Sequence, residues 1–200
     1  DKERQKIIRI NKKELKSHKE LDSGLSVVVF NPDDLKIVKE GPQERRTFLD
    51  QGISQLKPVY NYSHSRYYSV LFQRSKILKS NRFNKDLSIL DLFDTQLAKL
   101  GTSIVLERAA FIKELTNICK VVHGKFTYGI EDINMKYSTN VPLLENKSEM
   151  EKQYLKLLKD NSIRDLECGS TEIGPHRDDL IIYINGKDVR TFGSQGQQRT

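Results

Sequence analysis

Residues 89–122 read ILDLFDTQLAKLGTSIVLERAAFIKELTNICKVV, and within them Phe93, Leu97, Leu100, Ile104, Phe111, Leu115, Ile118 and Val122 follow at steps of four, three, four, seven, four, three and four. That narrow stripe is close to a coiled-coil seam and predicts a single helix about 50 Å long at 1.5 Å per residue. Arg108 falls on or beside the seam where the repeat skips. Upstream, Leu56, Tyr60, Tyr67, Leu71 and Leu78 share one face, which predicts a helix over 54–79. The polar break from Ser80 to Ser88, with Asn81, Asn84 and Asp86, separates the two. Two long helices in succession form an antiparallel arm.

Shorter elements flank the arm. Before it, a polar stretch from Asn11 to Asp22 leads to the buried-strand run Val27-Val28-Val29-Phe30, which Asn31-Pro32-Asp33-Asp34 stops. Gly41-Pro42 then precedes a helix start at 43–50. After the arm, Phe126–Ile130 and Ile133–Tyr137 alternate like strands, and Met150–Leu158 carries a helical stripe. Leu180–Ile184 is an apolar strand, and Asn185-Gly186 is a hairpin turn leading to a strand at Val189–Phe192. The expected class is α+β in three blocks: a strand-bearing lobe portion over 1–52, the helical arm over 53–122, and a second lobe portion over 123–200.

At 200 residues the chain has the size of about one domain. It has no run of eighteen apolar residues, so no membrane-spanning helix is expected. Cys119 and Cys168 match no metal or redox spacing and point to a reduced, cytoplasmic protein. The chain starts at Asp1 with no signal-peptide pattern and ends at Thr200 within a motif, and is read as an interior piece of a longer protein.

The net charge is +7, and its distribution is uneven. From Lys57 to Asp86 there are seven cations (Lys57, Arg66, Arg74, Lys76, Lys79, Arg82, Lys85) against the one acid Asp86, interleaved with Tyr60, Tyr62, Tyr67, Tyr68, Phe72 and Phe83. Clustered cations suit a polyanion, because each phosphate they neutralise releases counterions. The other reading is a solvated helix face whose aromatics belong to the core.

Two stretches mimic phosphate sites and fail on chemistry. Gly169-Ser170-Thr171-Glu172-Ile173-Gly174 has the spacing of a phosphate loop, but Pro175-His176 follows where a Lys and a hydroxyl are needed. In Val27–Phe30, Asn31-Pro32 separates the strand from the Asp33-Asp34 carboxylates, so it is no Walker B strand. The cluster His176, Arg177, Asp178 and Asp179 allows three readings: an ordered turn, a loop touching a nucleotide or partner, or a hydrolytic metal site using His176 and Asp178. No second acidic or histidine cluster completes a metal set, and no metal is expected. Finally, Ser194-Gln195-Gly196-Gln197-Gln198-Arg199 offers a hydroxyl and backbone N–H groups to an anion, although composition alone also fits a polar surface loop.

That last string resembles the signature motif of ABC-type ATPases. With glutamine at its second position and Gly174-Pro175-His176-Arg177-Asp178-Asp179-Leu180 before it, the chain is similar to the RecF family, bacterial recombination mediators related to SMC heads. Phe30-Asn31-Pro32-Asp33-Asp34-Leu35, Gly41-Pro42 and Arg45-Arg46-Thr47-Phe48-Leu49-Asp50 match in order and spacing. So do Gln73-Arg74 with Leu78-Lys79, and Leu92-Phe93-Asp94-Thr95-Gln96-Leu97-Ala98 with Gly101.

The resemblance implies the strand-bearing part of an ABC-type ATPase head carrying an inserted helical arm. It implies ATP and Mg2+ sandwiched between two such heads in a homodimer. Ser194 would donate its hydroxyl to the γ-phosphate held by the opposite subunit, Gly196 would allow close backbone approach, and Gln197 and Gln198 would open the signature helix. Gln195 fits this family, and Arg199 would pair with the γ-phosphate or with the head. Walker A would lie before Asp1, and Walker B with its catalytic glutamate after Thr200. No catalytic residue and no ATP turnover are therefore expected of this stretch alone, only weak ATPase activity of the whole dimer. Double-stranded DNA at gaps or junctions, RecR and RecO are the implied partners, with Lys57, Arg66, Arg74, Lys76, Lys79 and Arg82 as the DNA-facing set. A scaffold that has lost its ATPase, and a nuclease centred on His176 and Asp178, are the competing functions.

Overall fold

Leu90–Phe126 form one 37-residue helix, the longest element of the computed structural model. The structure describes residues 9–10, 12–14, 35–80 and 88–199. The strand expected at Val27–Phe30, the turn at 31–34 and Arg82 lie outside them. The chain divides into two units. In the first, Arg9–Ile10 (β1) and Lys13–Glu14 (β2) pair antiparallel. The second, Pro32–Thr200, holds the other elements formed by the described residues.

Proline sets the helix starts. Lys36–Lys39 form a single turn (α1), and Pro42 opens Pro42–Leu56 (α2) in the first turn, where its missing N–H costs nothing. Pro58 opens Pro58–Ser80 (α3), so the helix expected over 54–79 is really two helices meeting at Lys57. The block boundary drawn at 52/53 accordingly falls inside α2. Leu90–Phe126 (α4) runs back along α3. Lys57 meets Glu107 at 2.5 Å near one end and Arg74 meets Asp94 at 2.6 Å near the other, which makes the pair antiparallel.

The α4 stripe holds as far as α3 reaches. Leu97 and Ile104 are buried. Arg108 still reaches Tyr60 near the start of α3, and from there on α4 turns a different face inward: Arg108, Ile112, Thr116 and His123 are buried, while Ile118 and Val122 of the expected seam are 57% and 46% exposed. Leu49 of α2, Ile112 of α4 and Leu180 form a core cluster there, with Met135 and Tyr137 packed against it.

Those last residues belong to a three-stranded antiparallel sheet of Ile133–Ser138 (β3), Asp179–Ile184 (β4) and Lys187–Asp188 (β5), with Ile133 opposite Ile184 and Tyr137 opposite Leu180. The Asn185-Gly186 turn has positive φ at both residues, as a two-residue hairpin requires. Two expected strands are absent. Phe126 ends α4, and the left-handed residues Tyr128 and Gly129 turn the chain instead of extending it. Val189–Phe192 is a helical turn (α7), because the Asp188 carboxylate accepts from Arg190 N–H and caps it.

Lys147–Asp160 (α5) and Ser162–Cys168 (α6) follow β3 in the chain, and Gln195–Arg199 (α8) closes it. Met150, Tyr154 and Leu158 of α5 join the α3–α4 core. Gly101 makes that approach possible, since a Cβ there would lie 2.6 Å from the Tyr154 ring and 3.1 Å from that of Tyr67. The α3–α4 pair is thus sheathed by neighbours along much of its length. No helix among the described residues is long and apolar enough to cross a membrane.

Candidate functional site

The loop 174–179 lies where α2, α3, α4 and β3 meet. Gly174 has φ +135°, and a Cβ on it would fall within 2.5 Å of both the Tyr67 and Tyr154 hydroxyls, so no other residue fits. His176 Nε2 lies 2.8 Å from the Thr171 carbonyl and must therefore carry the proton. Nδ1 is then the acceptor for the Tyr67 hydroxyl, also at 2.8 Å. Burial pushes the His176 pKa down to about 4, so the ring is neutral near pH 7.

Asp178 and Asp179 face different partners. Asp178 accepts from the Tyr137 hydroxyl and is buried, and that burial raises its pKa against the opposing Tyr137 hydrogen bond and the nearby Arg108. Asp179 takes two hydrogen bonds from Arg45, at 2.6 and 2.9 Å, while Arg45 also reaches the Ile37 and Glu40 carbonyls. Arg46 donates to the Asp178 carbonyl. Only Arg177 is exposed, and it pairs with Glu172 at 2.6 Å. The hydrogen bonds of His176, Asp178 and Asp179 are thus spent within the fold, and of the four polar residues of the loop only Arg177 faces solvent. A nuclease at His176 and Asp178 loses its ligands, since both imidazole nitrogens are engaged. Among the described residues no group of three or more His, Cys, Asp or Glu is placed to hold a metal ion.

A second polar knot joins α2, α3 and α4. Arg108 pairs with Asp50, which also accepts from Tyr60 at 2.5 Å and lies 3.0 Å from His64 Nε2. Burial works to raise the Asp50 carboxyl, but the His64 hydrogen bond, Arg108 and Tyr60 together hold it below the ordinary carboxylate range. Sequence reading placed Arg108 at the seam and missed this partner set; a cation interrupting an apolar stripe was the available signal.

The basic window of α3 separates into two groups. Arg74 is fully buried, donating to Asp94 and Asp165 at 2.6 Å each and to Thr171 at 2.9 Å. It ties α3 to α4 and α6, which removes it from any DNA-facing surface. Arg66, Lys76 and Lys79 are exposed, as are Tyr62 and Phe72, and Lys76 Nζ sits 4.5 Å over the Phe72 ring. Lys57 is exposed but paired with Glu107.

The signature string forms a capping box. Ser194 Oγ accepts from Gln197 N–H at 3.1 Å, and Gln197 Oε1 accepts from Ser194 N–H at 3.0 Å. Gln197 Nε2 also donates to Glu131 at 2.7 Å, and Gln198 Nε2 reaches the Val189 and Gly193 carbonyls at 3.3 Å each. Both glutamine side chains therefore face this chain and fasten α8 to it. Ser194, Gln195 and Gly196 are exposed, and a Cβ on Gly196 would meet only Ser194 Oγ, at 3.8 Å. Packing within the described residues does not require that glycine. Glu131 was not singled out in the sequence.

No family model matches the chain. It is 44% identical over 200 residues to the DNA replication and repair protein RecF of Alkaliphilus oremlandii (strain OhILAs), covering 99% of this chain and 54% of that protein. It is 45% identical over 195 residues to the protein of the same name from Clostridium botulinum (strain ATCC 19397 / Type A), covering 98% and 52%. The chain thus spans about half the length of the curated relatives it matches. Two solved structures of the recombination mediator protein RecF in the RecFOR pathway superpose over 96% of this chain and 52% of theirs. One, RecF-ATPrS, gives a TM-score of 0.89 at 32% identity, and the other, RecF-ATP, gives 0.88 at 31%.

Proposed function

We propose, from the premise that this chain belongs to the RecF family and spans about half of it, that it is part of an ATP-binding DNA repair and recombination mediator and that Ser194 acts on ATP held by a second subunit. The capping box at Ser194 carries this reading. Its Oγ accepts from Gln197 N–H, so the hydroxyl proton is left to donate outward from an exposed position. Gly196 beside it leaves room for a phosphate to come close to the backbone. ATP would supply the γ-phosphate as a hydrogen-bond acceptor, and the Ser194 hydroxyl with the open backbone at Gly196 would hold it from this chain's side. The chain's own part is to hold the donor in place, which the Gln197 and Gln198 side chains do.

The exposed cations of α3, Arg66, Lys76 and Lys79, with Tyr62 and Phe72, form the proposed surface for double-stranded DNA. Such a surface holds phosphates without reading bases, which suits a protein that finds gaps or junctions by shape. Solved RecF relatives are described in the RecFOR pathway, and RecO and RecR are accordingly the proposed protein partners.

The test is Ser194→Arg in the full-length protein, assayed for ATP binding and for ATP-dependent dimerisation by sedimentation velocity. The variant should bind ATP as the wild type does and remain monomeric. Loss of ATP binding by the monomer would place Ser194 in its own subunit's pocket and refute the reading.

A further inference from the structure

Gln197 makes two side-chain contacts with opposite hydrogen-bonding polarity. Its Oε1 accepts from Ser194 N–H at 3.0 Å, and its Nε2 donates to Glu131 Oε1 at 2.7 Å. A carboxylate can only accept, so Glu131 permits one orientation of that amide: nitrogen toward residue 131, oxygen toward Ser194. Without it, the amide can rotate by half a turn, and the capping box loses one of its two bonds.

Glu131 is itself held. Asp132 N–H donates to Asn185 Oδ1 and Asn185 N–H donates to the Asp132 carbonyl, both at 2.9 Å, which pins the segment before β3 to the β4–β5 turn. The second Glu131 oxygen lies 3.6 Å from His123 Nε2 in the last turn of α4. That imidazole is only 5% exposed, and neither of its nitrogens has a hydrogen-bond partner. Glu131 therefore stands between the end of the long helix and the signature turn, with one oxygen toward each.

We infer that Glu131 is a positioning residue for Ser194: by fixing the Gln197 amide it sets the orientation of the signature turn, and so whether the Ser194 hydroxyl meets the phosphate held by the other subunit. The inference rests on the reading of Ser194 given above. Glu131 touches no reacting group; it works through Gln197.

The test uses the full-length protein, with ATP binding, ATP-dependent dimerisation and steady-state ATP turnover measured for each variant. Glu131→Ala removes the acceptor, and Gln197→Glu keeps the capping oxygen while setting two carboxylates against each other. Each should lower kcat by about ten- to a hundredfold, as a misplaced group does, with ATP affinity unchanged. The double exchange Glu131→Gln with Gln197→Glu restores a donor facing an acceptor at the same place and should recover most of the turnover. Wild-type turnover in Glu131→Ala, alongside an inactive Ser194→Arg, would overturn the inference alone. Failure of the double exchange to rescue would reduce the contact to a structural one and also overturn it. Normal dimerisation and turnover of Ser194→Arg would instead overturn the reading beneath it.

Discussion

Arg108 grips Asp50 with two parallel hydrogen bonds, Nε to Oδ1 and Nη2 to Oδ2, both 2.9 Å long, while its third nitrogen donates to the Pro175 carbonyl at 2.6 Å. One side chain of α4 thereby fixes both α2 and the loop that leads into β4. The guanidinium is fully buried, so its desolvation is offset only while all these acceptors remain. Arg108→Met should destabilise the protein by about 3 kcal/mol, because it takes the guanidinium from the largely enclosed Asp50 and leaves that carboxylate only Tyr60 and His64. Denaturant unfolding of the full-length protein checks this, and a loss below about 1 kcal/mol would show the knot to be dispensable.

The cations of α3 should separate by assay. Arg74→Met should cost about 3–5 kcal/mol of stability, since Asp94 and Asp165 would lose their buried partner. Replacing Arg66, Lys76 and Lys79 together by Glu should leave unfolding within about 1 kcal/mol of wild type, as surface changes do. It should also flatten the slope of log K for duplex DNA against log salt by about 2 to 3, close to 0.9 per lost phosphate contact. An unchanged slope would move the DNA surface elsewhere.

His176 predicts a pH dependence with a definite sign. Its pKa is about 4 in the folded protein against an ordinary 6.5, so between those values the unfolded chain binds the proton and the folded one does not. Stability from this group therefore falls as pH drops from 6.5 to 4, by about 3 kcal/mol in all at 1.36 kcal/mol per unit. Above pH 6.5 the group contributes no slope. Urea midpoints of the wild type and His176→Gln across this window isolate the effect from the carboxylates. The variant should show the shallower decline.

Much of the architecture was readable because periodicity reports directly on burial. The α4 stripe, the alternation of β3, the apolar run of β4, the Met150–Leu158 stripe and the Asn185-Gly186 turn each became the expected element. What was misread shares a cause. Arg74 looked like a surface cation because its acids, Asp94 and Asp165, are 20 and 91 residues away in sequence. His176 and Asp178 looked like ligands because their partners Tyr67 and Tyr137 are likewise distant, on α3 and β3. Composition shows which polar groups a stretch carries, but only tertiary structure shows whether they are already satisfied. The string at 194–199 stood out by its resemblance to a known motif, since composition alone fitted a surface loop, and the mutual cap of Ser194 and Gln197 emerged only in the structure. Glu131, 66 residues away from Gln197, was not legible.

The most direct test of the central claim, that Ser194 acts on ATP bound by another subunit, is a mixing measurement of ATP turnover. Full-length Ser194→Arg protein is combined with a protein whose phosphate-loop lysine has been removed, each inactive alone. A heterodimer of the two retains one complete site, with the nucleotide pocket of the first and the serine of the second. ATP turnover should therefore reappear on mixing and rise with the fraction of heterodimer. Turnover no greater than the sum of the separate proteins would contradict the account, because the serine and the lysine would then serve the same subunit's site and each site of the heterodimer would carry one defect.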